Sequence, residues 1–205
     1  MSKSNNNEKK EVDIKIILLG ESGAGKTNLI NTYLGKDFDP NSYPTIDLED
    51  SIKQLEINNT KCIINFWDTM GQEQYRSLTQ HFLRGTDIVI FVYDITSKKS
   101  FTELNYWVDE VNKQLKNTAI FGLAANKNDL YLNEKVKLNE GESYAKKINA
   151  IFAATSAKSN PASFRDLIQK LLAKTLKNKK VIKIENDLIN LNKEGKKRKK
   201  KKKFC

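Results

Sequence analysis

A glycine-rich turn at residues 20–27, Gly-Glu-Ser-Gly-Ala-Gly-Lys-Thr, carries the first residues whose types and spacing could do chemistry. The turn fits the pattern G-x-x-x-x-G-K-[ST], in which backbone N–H groups point at phosphate oxygens and the following helix adds its positive N-terminal end. Lys26 would place its charge between the β- and γ-phosphates, and the Thr27 hydroxyl could bind Mg²⁺. The turn therefore predicts a nucleoside triphosphate site, without distinguishing ATP from GTP. The candidate nucleotide contacts are Gly20, Ser22, Gly23, Ala24, Gly25, Lys26, Thr27 and Asn28.

Two short polar motifs could read the base of that nucleotide. Residues 126–129, Asn-Lys-Asn-Asp, follow a predicted strand at 119–125, and residues 156–158, Ser-Ala-Lys, follow another at 151–155. The Asp129 carboxylate can accept hydrogen bonds from N1–H and the 2-amino group of guanine, whereas adenine would leave it unpaired at a cost. Each motif alone could be an ordinary turn, but their order after the phosphate turn favours guanine. The candidate base-binding residues are Asn126, Lys127, Asp129, Ser156, Ala157 and Lys158.

Two further loops carry residues suited to phosphoryl transfer. Asp68 can reach Mg²⁺ through water, Gly71 can offer its N–H to the γ-phosphate, and Gln72 can orient an attacking water. Thr45 lies between the first predicted helix and a hairpin, where it could be the second Mg²⁺ hydroxyl. Either segment alone could be a plain polar loop. We therefore expect catalytic roles for Gln72, Lys26 and Gly71, and a metal site formed by Thr27, Thr45 and Asp68.

The elements that must position these residues alternate between strands and helices. An apolar strand at Ile14–Leu19 precedes the glycine-rich turn, and Asn58-Asn59 marks a two-residue hairpin. The β-branched run Ile88–Tyr93 is typical of a strand covered on both faces. Apolar residues at helical spacing predict helices around 101–115, 144–148 and 164–172. This alternation predicts a mostly parallel sheet with helices on both faces.

Composition and charge restrict the class of protein. The chain has 205 residues, 39% hydrophobic and 30% charged, and no apolar stretch long enough to span a membrane. Its two cysteines, Cys62 and Cys205, do not predict a disulfide framework, so we expect a reducing, intracellular compartment. Of the net charge of +11, residues 196–203 supply eight, which leaves +3 for the remainder. We expect a disordered extension at 1–12, one domain at 13–177 and a variable basic tail at 178–205.

Taken together, these motifs resemble those of Ras-superfamily small GTPases over roughly Ile14–Lys177. The segments Gln74–Thr79, Leu83–Gly85 and Val92–Ser97 are similar to those of the Rab branch. The resemblance implies a P-loop NTPase G domain of α/β class, with a six-stranded sheet containing one antiparallel strand and about five helices. It also implies three contacts with the base: Phe38 packs on the guanine edge, the Lys127 stem covers the base face, and the Ala157 N–H donates to the base oxygen. Ser22 would lie next to the γ-phosphate, where serine is common in Rab proteins.

Some residues depart from the family pattern. Met70 replaces a small alanine before Gly71, and Asp50 stands where Rab proteins carry a phenylalanine that packs with an aromatic pair, matched here by Trp67 and Phe82. An acid cannot fill that apolar role, so the resemblance to Rab proteins does not predict the choice of effector.

Three other residues are not given functional roles. We expect a surface or packing role for His81, a core position for Trp107, and a buried small hydrophobe in Cys62.

The basic tail predicts attachment to an anionic membrane surface. Each basic residue contributes about 1 kcal/mol near such a surface, and prenylation of Cys205 beside the basic block would supply a second signal for stable anchoring. A nuclear-import tail, a nucleic-acid-binding tail and a merely solvated tail are the alternatives; we expect no nucleic-acid partner. The expected location is the cytosolic face of endomembranes or of the plasma membrane.

The resemblance implies a monomeric GTPase that cycles between GDP and GTP and regulates vesicle trafficking, with slow hydrolysis unless an activating protein assists. Its expected partners are an exchange factor, an activating protein, effectors and, if prenylated, an escort protein such as a GDP-dissociation inhibitor. The alternatives are a guanine-nucleotide scaffold with negligible hydrolysis, a Ras-like signalling GTPase outside the Rab branch, and an ATP-using P-loop enzyme.

Overall fold

The structure is a computed structural model, and it describes residues 10–41, 49–57, 60–68, 82–115 and 118–179. The chain divides into two units, residues 1–171 and residues 172–205. The fold described below belongs to the first unit. In the second unit, residues 172–179 are described and are helical.

A six-stranded sheet forms the centre of the first unit. Its strand order is β2-β3-β1-β4-β5-β6. The β2–β3 pair is antiparallel and every other neighbouring pair is parallel, which confirms the predicted mostly parallel sheet with one antiparallel strand. The strands are β1 Lys10–Leu19, β2 Glu49–Ile57, β3 Thr60–Asp68, β4 Ile88–Asp94, β5 Ile120–Asn126 and β6 Ile151–Ala154.

The helices lie between the strands, as the alternating pattern predicts. The stripe predicted around 101–115 is divided between two helices, which are separated by the single residue Glu103, the C-cap of the first. The bounds are α1 Lys26–Tyr33, α2 Lys98–Thr102, α3 Leu104–Leu115, a 3₁₀ helix Asn128–Asn133 and α4 Leu138–Lys147. The last helix, α5, begins at residue 161 and is helical up to residue 171, where the first unit ends.

The strands follow the apolar patterns of the sequence. All seven residues of β4 are buried, as expected for a central parallel strand, whereas β3 alternates between buried and half-buried positions. The pairing of Ile57 with Thr60 closes the predicted hairpin. β1 begins at Lys10, so residues 10–12, which we assigned to a disordered extension, instead pair with β3. The apolar run did not predict these three residues as strand, because their strand conformation depends on pairing with β3.

Buried side chains fill the space between the sheet and its helices. On one face, residues from β4 and β5 pack with α3, and Phe91 contacts Phe121 edge to face at 5.5 Å between ring centroids. Trp107 and Cys62 are buried, which confirms their predicted packing roles. None of the described helices is long and apolar enough to cross a membrane.

The parallel arrangement decides where the polar motifs lie. Strands β1, β3, β4, β5 and β6 run in the same direction, so their carboxyl ends meet at one edge of the sheet. This is the edge at which open α/β sheets bind ligands. The glycine-rich turn and the two base-reading motifs each follow one of these strands.

Candidate functional site

The glycine-rich turn joins β1 to α1, and two of its glycines allow close approach to neighbouring groups. A Cβ at Gly20 would lie 2.1 Å from the Val92 carbonyl oxygen, and a Cβ at Gly25 would lie 2.4 Å from Asn126 Nδ2. Gly25 also has φ of 92°, a conformation that favours glycine. The turn therefore packs against both β4 and β5, and larger residues would push it away from them.

Lys26 is a nearly buried cation at the start of α1, with 5% of its surface exposed. Its Nζ donates hydrogen bonds to the carbonyl oxygens of Gly20, at 2.9 Å, and Glu21, at 3.1 Å. Burial lowers the pKa of Lys26 to about 8, although the carboxylates of Asp68 and Glu21 act in the opposite direction. An anion bound beside this ammonium would be strongly favoured, since it would compensate a charge that water does not solvate.

Thr27 and Asp68 bring together two of the three predicted metal ligands. The Thr27 hydroxyl donates a 2.7 Å hydrogen bond to Asp68 Oδ2, which joins the start of α1 to the end of β3. Asp68 is buried, with 4% of its surface exposed. A hydroxyl and a carboxylate held together offer the hard oxygen ligands that Mg²⁺ prefers. These residues therefore fit a magnesium ion.

Asn126 connects the glycine-rich turn to the segment that follows β6. Its Nδ2 donates to the Ala24 carbonyl oxygen at 2.8 Å, and its Oδ1 accepts from the Thr155 hydroxyl at 3.3 Å. The side chain is 2% exposed, so these hydrogen bonds form away from water. Asn126 thus fixes three segments of the site relative to one another.

Asp129 and Ser156 come from the two predicted base-reading motifs and meet directly. The Ser156 hydroxyl donates to Asp129 Oδ1 at 2.5 Å, and the Asn128 N–H donates to the Thr155 carbonyl oxygen at 3.0 Å. Ser156 thereby fixes the orientation of the carboxylate. Ala157 is buried beside it, whereas Lys158 is exposed.

Lys127 adopts a left-handed backbone conformation, with φ of 62°, and its side chain lies near the phosphate turn. Its Cε is 3.9 Å from the position that a Cβ would take at Gly25. Its Nζ forms a 2.8 Å ion pair with Asp94 Oδ2. Asp94 is a site residue that sequence reasoning missed. The available signal was an acidic residue at the carboxyl end of a buried strand.

Asn28 occupies a different position from a simple nucleotide contact. Its Nδ2 donates to the Asp39 carbonyl oxygen at 3.0 Å, and the Asp39 N–H donates to its Oδ1 at 3.1 Å. This pair of hydrogen bonds anchors the segment after α1, where Phe38 is half-buried. The Asn28 side chain therefore positions the segment that carries Phe38.

Several predicted residues lie outside the described part of the chain. They are Thr45, Met70, Gly71, Gln72, His81 and Cys205, together with the side chain of Asp50. The predicted aromatic pair is present, with the rings of Trp67 and Phe82 tilted and 6.3 Å apart between centroids.

The chain is similar to a known protein family and to several named proteins. The Ras family model matches residues 15–177. Ras-related protein RabC of Dictyostelium discoideum is 35% identical over 193 residues, which cover 92% of this chain and 97% of RabC. Two proteins named Ras-related protein Rab-18 each align over 163 residues, covering 78% of this chain and 80% of theirs: that of Lymnaea stagnalis is 36% identical and that of Caenorhabditis elegans 37%.

Proposed function

This chain belongs to the Ras family and is a small GTPase, and from that premise we propose that it is a GDP–GTP switch of the Rab branch that regulates membrane trafficking. The main support for the nucleotide site is the Asn126 side chain. It forms hydrogen bonds with Ala24 in the glycine-rich turn and with Thr155, which precedes the second base-reading motif. A nucleotide that contacted both segments could place its phosphates at the first and its base at the second.

The base end of this site suits guanine. The Asp129 carboxylate, oriented by Ser156, would accept hydrogen bonds from N1–H and the 2-amino group. The Lys127 stem and Phe38 would cover the base, and the Ala157 N–H would donate to the base oxygen. Asn126 would hold this loop in place and Lys158 would complete it. Asp129→Asn should weaken binding of GDP and leave an adenine nucleotide unaffected.

The phosphate end suits a di- or triphosphate. Backbone N–H groups of the glycine-rich turn and of the first turn of α1, Asn28 included, would donate to phosphate oxygens, and Lys26 would lie against the β- and γ-phosphates. Thr27, Thr45 and, through water, Asp68 would hold Mg²⁺. When bound, Mg²⁺ neutralises charge on the β- and γ-phosphates.

Hydrolysis would depend on two residues of the segment after β3. Gln72 would orient the attacking water, and the Gly71 N–H would donate to the γ-phosphate, while Lys26 would stabilise the charge of the transferring group. Turnover would be slow without an activating protein, because the motifs at residues 20–27 and 68–72 contain no arginine that could stabilise that charge.

Single-turnover GTP hydrolysis tests this assignment. Gln72→Leu should slow the reaction by about 100-fold, the scale of effect expected when a reacting group loses its orientation. Gln169→Leu, an exposed residue of α5, is the matched control and should hydrolyse GTP at the wild-type rate. Equal rates in the wild type and Gln72→Leu would favour the alternative, a guanine-nucleotide scaffold with negligible hydrolysis.

The trafficking role is supported by the Rab names of the relatives and by the basic block at residues 196–203. This block would bind anionic lipid on the cytosolic face of a membrane, with prenylation of Cys205 as the second anchor. An exchange factor, an activating protein, effectors and an escort protein for the prenylated form would complete the cycle. Mass spectrometry of the native peptide that contains Cys205 tests this point, and an unmodified cysteine would remove the lipid anchor from the proposal.

A further inference from the structure

Asp94 lies where the two central strands of the site end side by side. It is the last residue of β4, and its Cα partner on β5 is Asn126. Only 8% of its surface is exposed. Its main-chain N–H donates a 3.0 Å hydrogen bond to Ser100 Oγ, which helps to fix the backbone at this position. The Asp94 side chain therefore extends from a fixed backbone position.

The two oxygens of this carboxylate have separate partners. Oδ1 accepts from the backbone N–H and the hydroxyl of Thr96, at 2.8 and 2.7 Å. Oδ2 accepts from Lys127 Nζ at 2.8 Å. The first set of contacts closes a local turn, whereas the second reaches the loop that follows β5.

Lys127 has a long side chain with many accessible rotamers. In this structure the ion pair with Asp94 selects one of them, in which Cε lies beside Gly25 of the phosphate turn. Ordering such a side chain opposes ligand binding when the ligand has to do it. An ordering contact within the protein removes part of that cost before the ligand arrives.

We propose that Asp94 is a positioning residue for the nucleotide, which holds the Lys127 stem in the place where it covers the base. This inference rests on the proposed nucleotide site. Asp94 acts through Lys127, so a substitution of Asp94 should no longer change the rate of nucleotide dissociation once the Lys127 ammonium has been removed.

The experiment is a double-mutant cycle on nucleotide dissociation. Asp94→Asn keeps an oxygen for Thr96 and replaces the oxygen that faces Lys127 with an amide NH₂. Release of a fluorescent GDP analogue into excess GDP, in the presence of Mg²⁺, should become about 3- to 10-fold faster, the range expected for one immobilised side chain. In the Lys127→Met background, Asp94→Asn should change the rate by less than about twofold.

Two comparisons separate positioning from a purely structural role. Thr96→Val removes the hydroxyl contact to Oδ1 but leaves the ion pair, so it should release GDP at nearly the wild-type rate. Asp94→Asn should accelerate the release of a non-hydrolysable GTP analogue by the same factor as the release of GDP, because both nucleotides carry the same base. Equal acceleration by Thr96→Val and Asp94→Asn, or additive effects of Asp94→Asn and Lys127→Met, would overturn the inference.

The same variants distinguish a wrong role for Asp94 from a wrong nucleotide site. If Asp94→Asn has no effect while Lys127→Met accelerates release, Asp94 is not a positioning residue and the site stands. If Asp129→Asn also leaves GDP binding unchanged, the proposed site is wrong and the inference is overturned with it.

Discussion

Raising the pH should weaken the binding of GDP to this protein, because Lys26 then loses its proton. Burial lowers the pKa of Lys26 from 10.5 to about 8, and this difference disfavours the charged form by about 3 kcal/mol. A phosphate beside the ammonium favours the charged form, so GDP should bind the protonated protein. The apparent dissociation constant should then rise by about 10-fold between about pH 7 and about pH 9.

The free energy of unfolding of the nucleotide-free protein should respond in the opposite direction. Below about pH 8 both the folded and the unfolded chain carry the Lys26 proton, so the cost of burying the charge is fully present. As the pH rises from about 8 to 10.5, the folded protein releases the proton first, and that cost of about 3 kcal/mol is removed. Lys26→Met should therefore be more stable than the wild type at neutral pH, with the difference shrinking over that alkaline range.

The assay is the ratio of dissociation and association rates of a fluorescent GDP analogue at a series of pH values. The series should not extend beyond about pH 9, because guanine itself loses the N1–H that Asp129 is proposed to read as the pH rises further, and Lys26→Met reports any loss of affinity from this source. Lys170→Met, an exposed lysine of α5, should keep the wild-type pH dependence, whereas Lys26→Met should bind weakly at every pH. If the wild type and Lys26→Met lost affinity in parallel, the pH dependence would belong to another group and the argument from burial would be refuted.

Two further substitutions test the packing around the site. Asn126→Ala removes the hydrogen bond to Ala24 and leaves buried polar groups unpaired, so the free energy of unfolding in denaturant should fall by about 1–3 kcal/mol; an unchanged midpoint would show that this buried link contributes no stability. Gly141→Ala should gain up to about 1 kcal/mol of helix propensity, but its Cβ would lie 2.3 Å from Tyr93 Oη, and overpacking costs about 1–3 kcal/mol. Its melting temperature should therefore fall, whereas Ser143→Ala, exposed on the same helix, should not lower it.

The sequence predicted those parts of the site that depend on local backbone geometry. The Gly25 conformation, with φ of 92°, belongs to a turn whose glycine spacing is legible in the chain. The buried strand β4 was predicted because an unbroken β-branched run is typical of a strand that is covered on both faces. In both cases the physical requirement acts within a few residues, so the sequence displays it directly.

The contacts that join the motifs were not predicted, because they connect residues far apart in the chain. The hydrogen bond from Asn126 to Ala24 spans 102 residues, and the one from Ser156 to Asp129 spans 27. The ion pair of Asp94 with Lys127 likewise depends on β4 and β5 being neighbours in the sheet. Such contacts need the strand order, and residue spacing along the chain does not contain it.

The break between α2 and α3 was missed for a different reason. Leu104 and Trp107 continue the apolar stripe that begins with the earlier helix, so the periodic pattern passes through Glu103 without a change of phase. The break occurs where the two short helices meet.

The strand order also determines how the two ends of the proposed nucleotide site influence one another. The phosphate turn packs against the Val92 carbonyl on β4 and against Asn126 on β5, so a displacement of either strand end would be transmitted to it. Asp94, the last residue of β4, pairs with Lys127 and thereby ties the base-reading loop to β4 as well. The hydrogen bonds of Asn126 are buried, and the ion pair of Lys127 with Asp94 is short and partly exposed. Because these links join the glycine-rich turn, β4 and β5, we expect the phosphate and base regions to behave as one connected frame. A substitution in this frame should therefore change the retention of GDP and of GTP together, and discrimination between the two nucleotides must come from residues that contact the γ-phosphate.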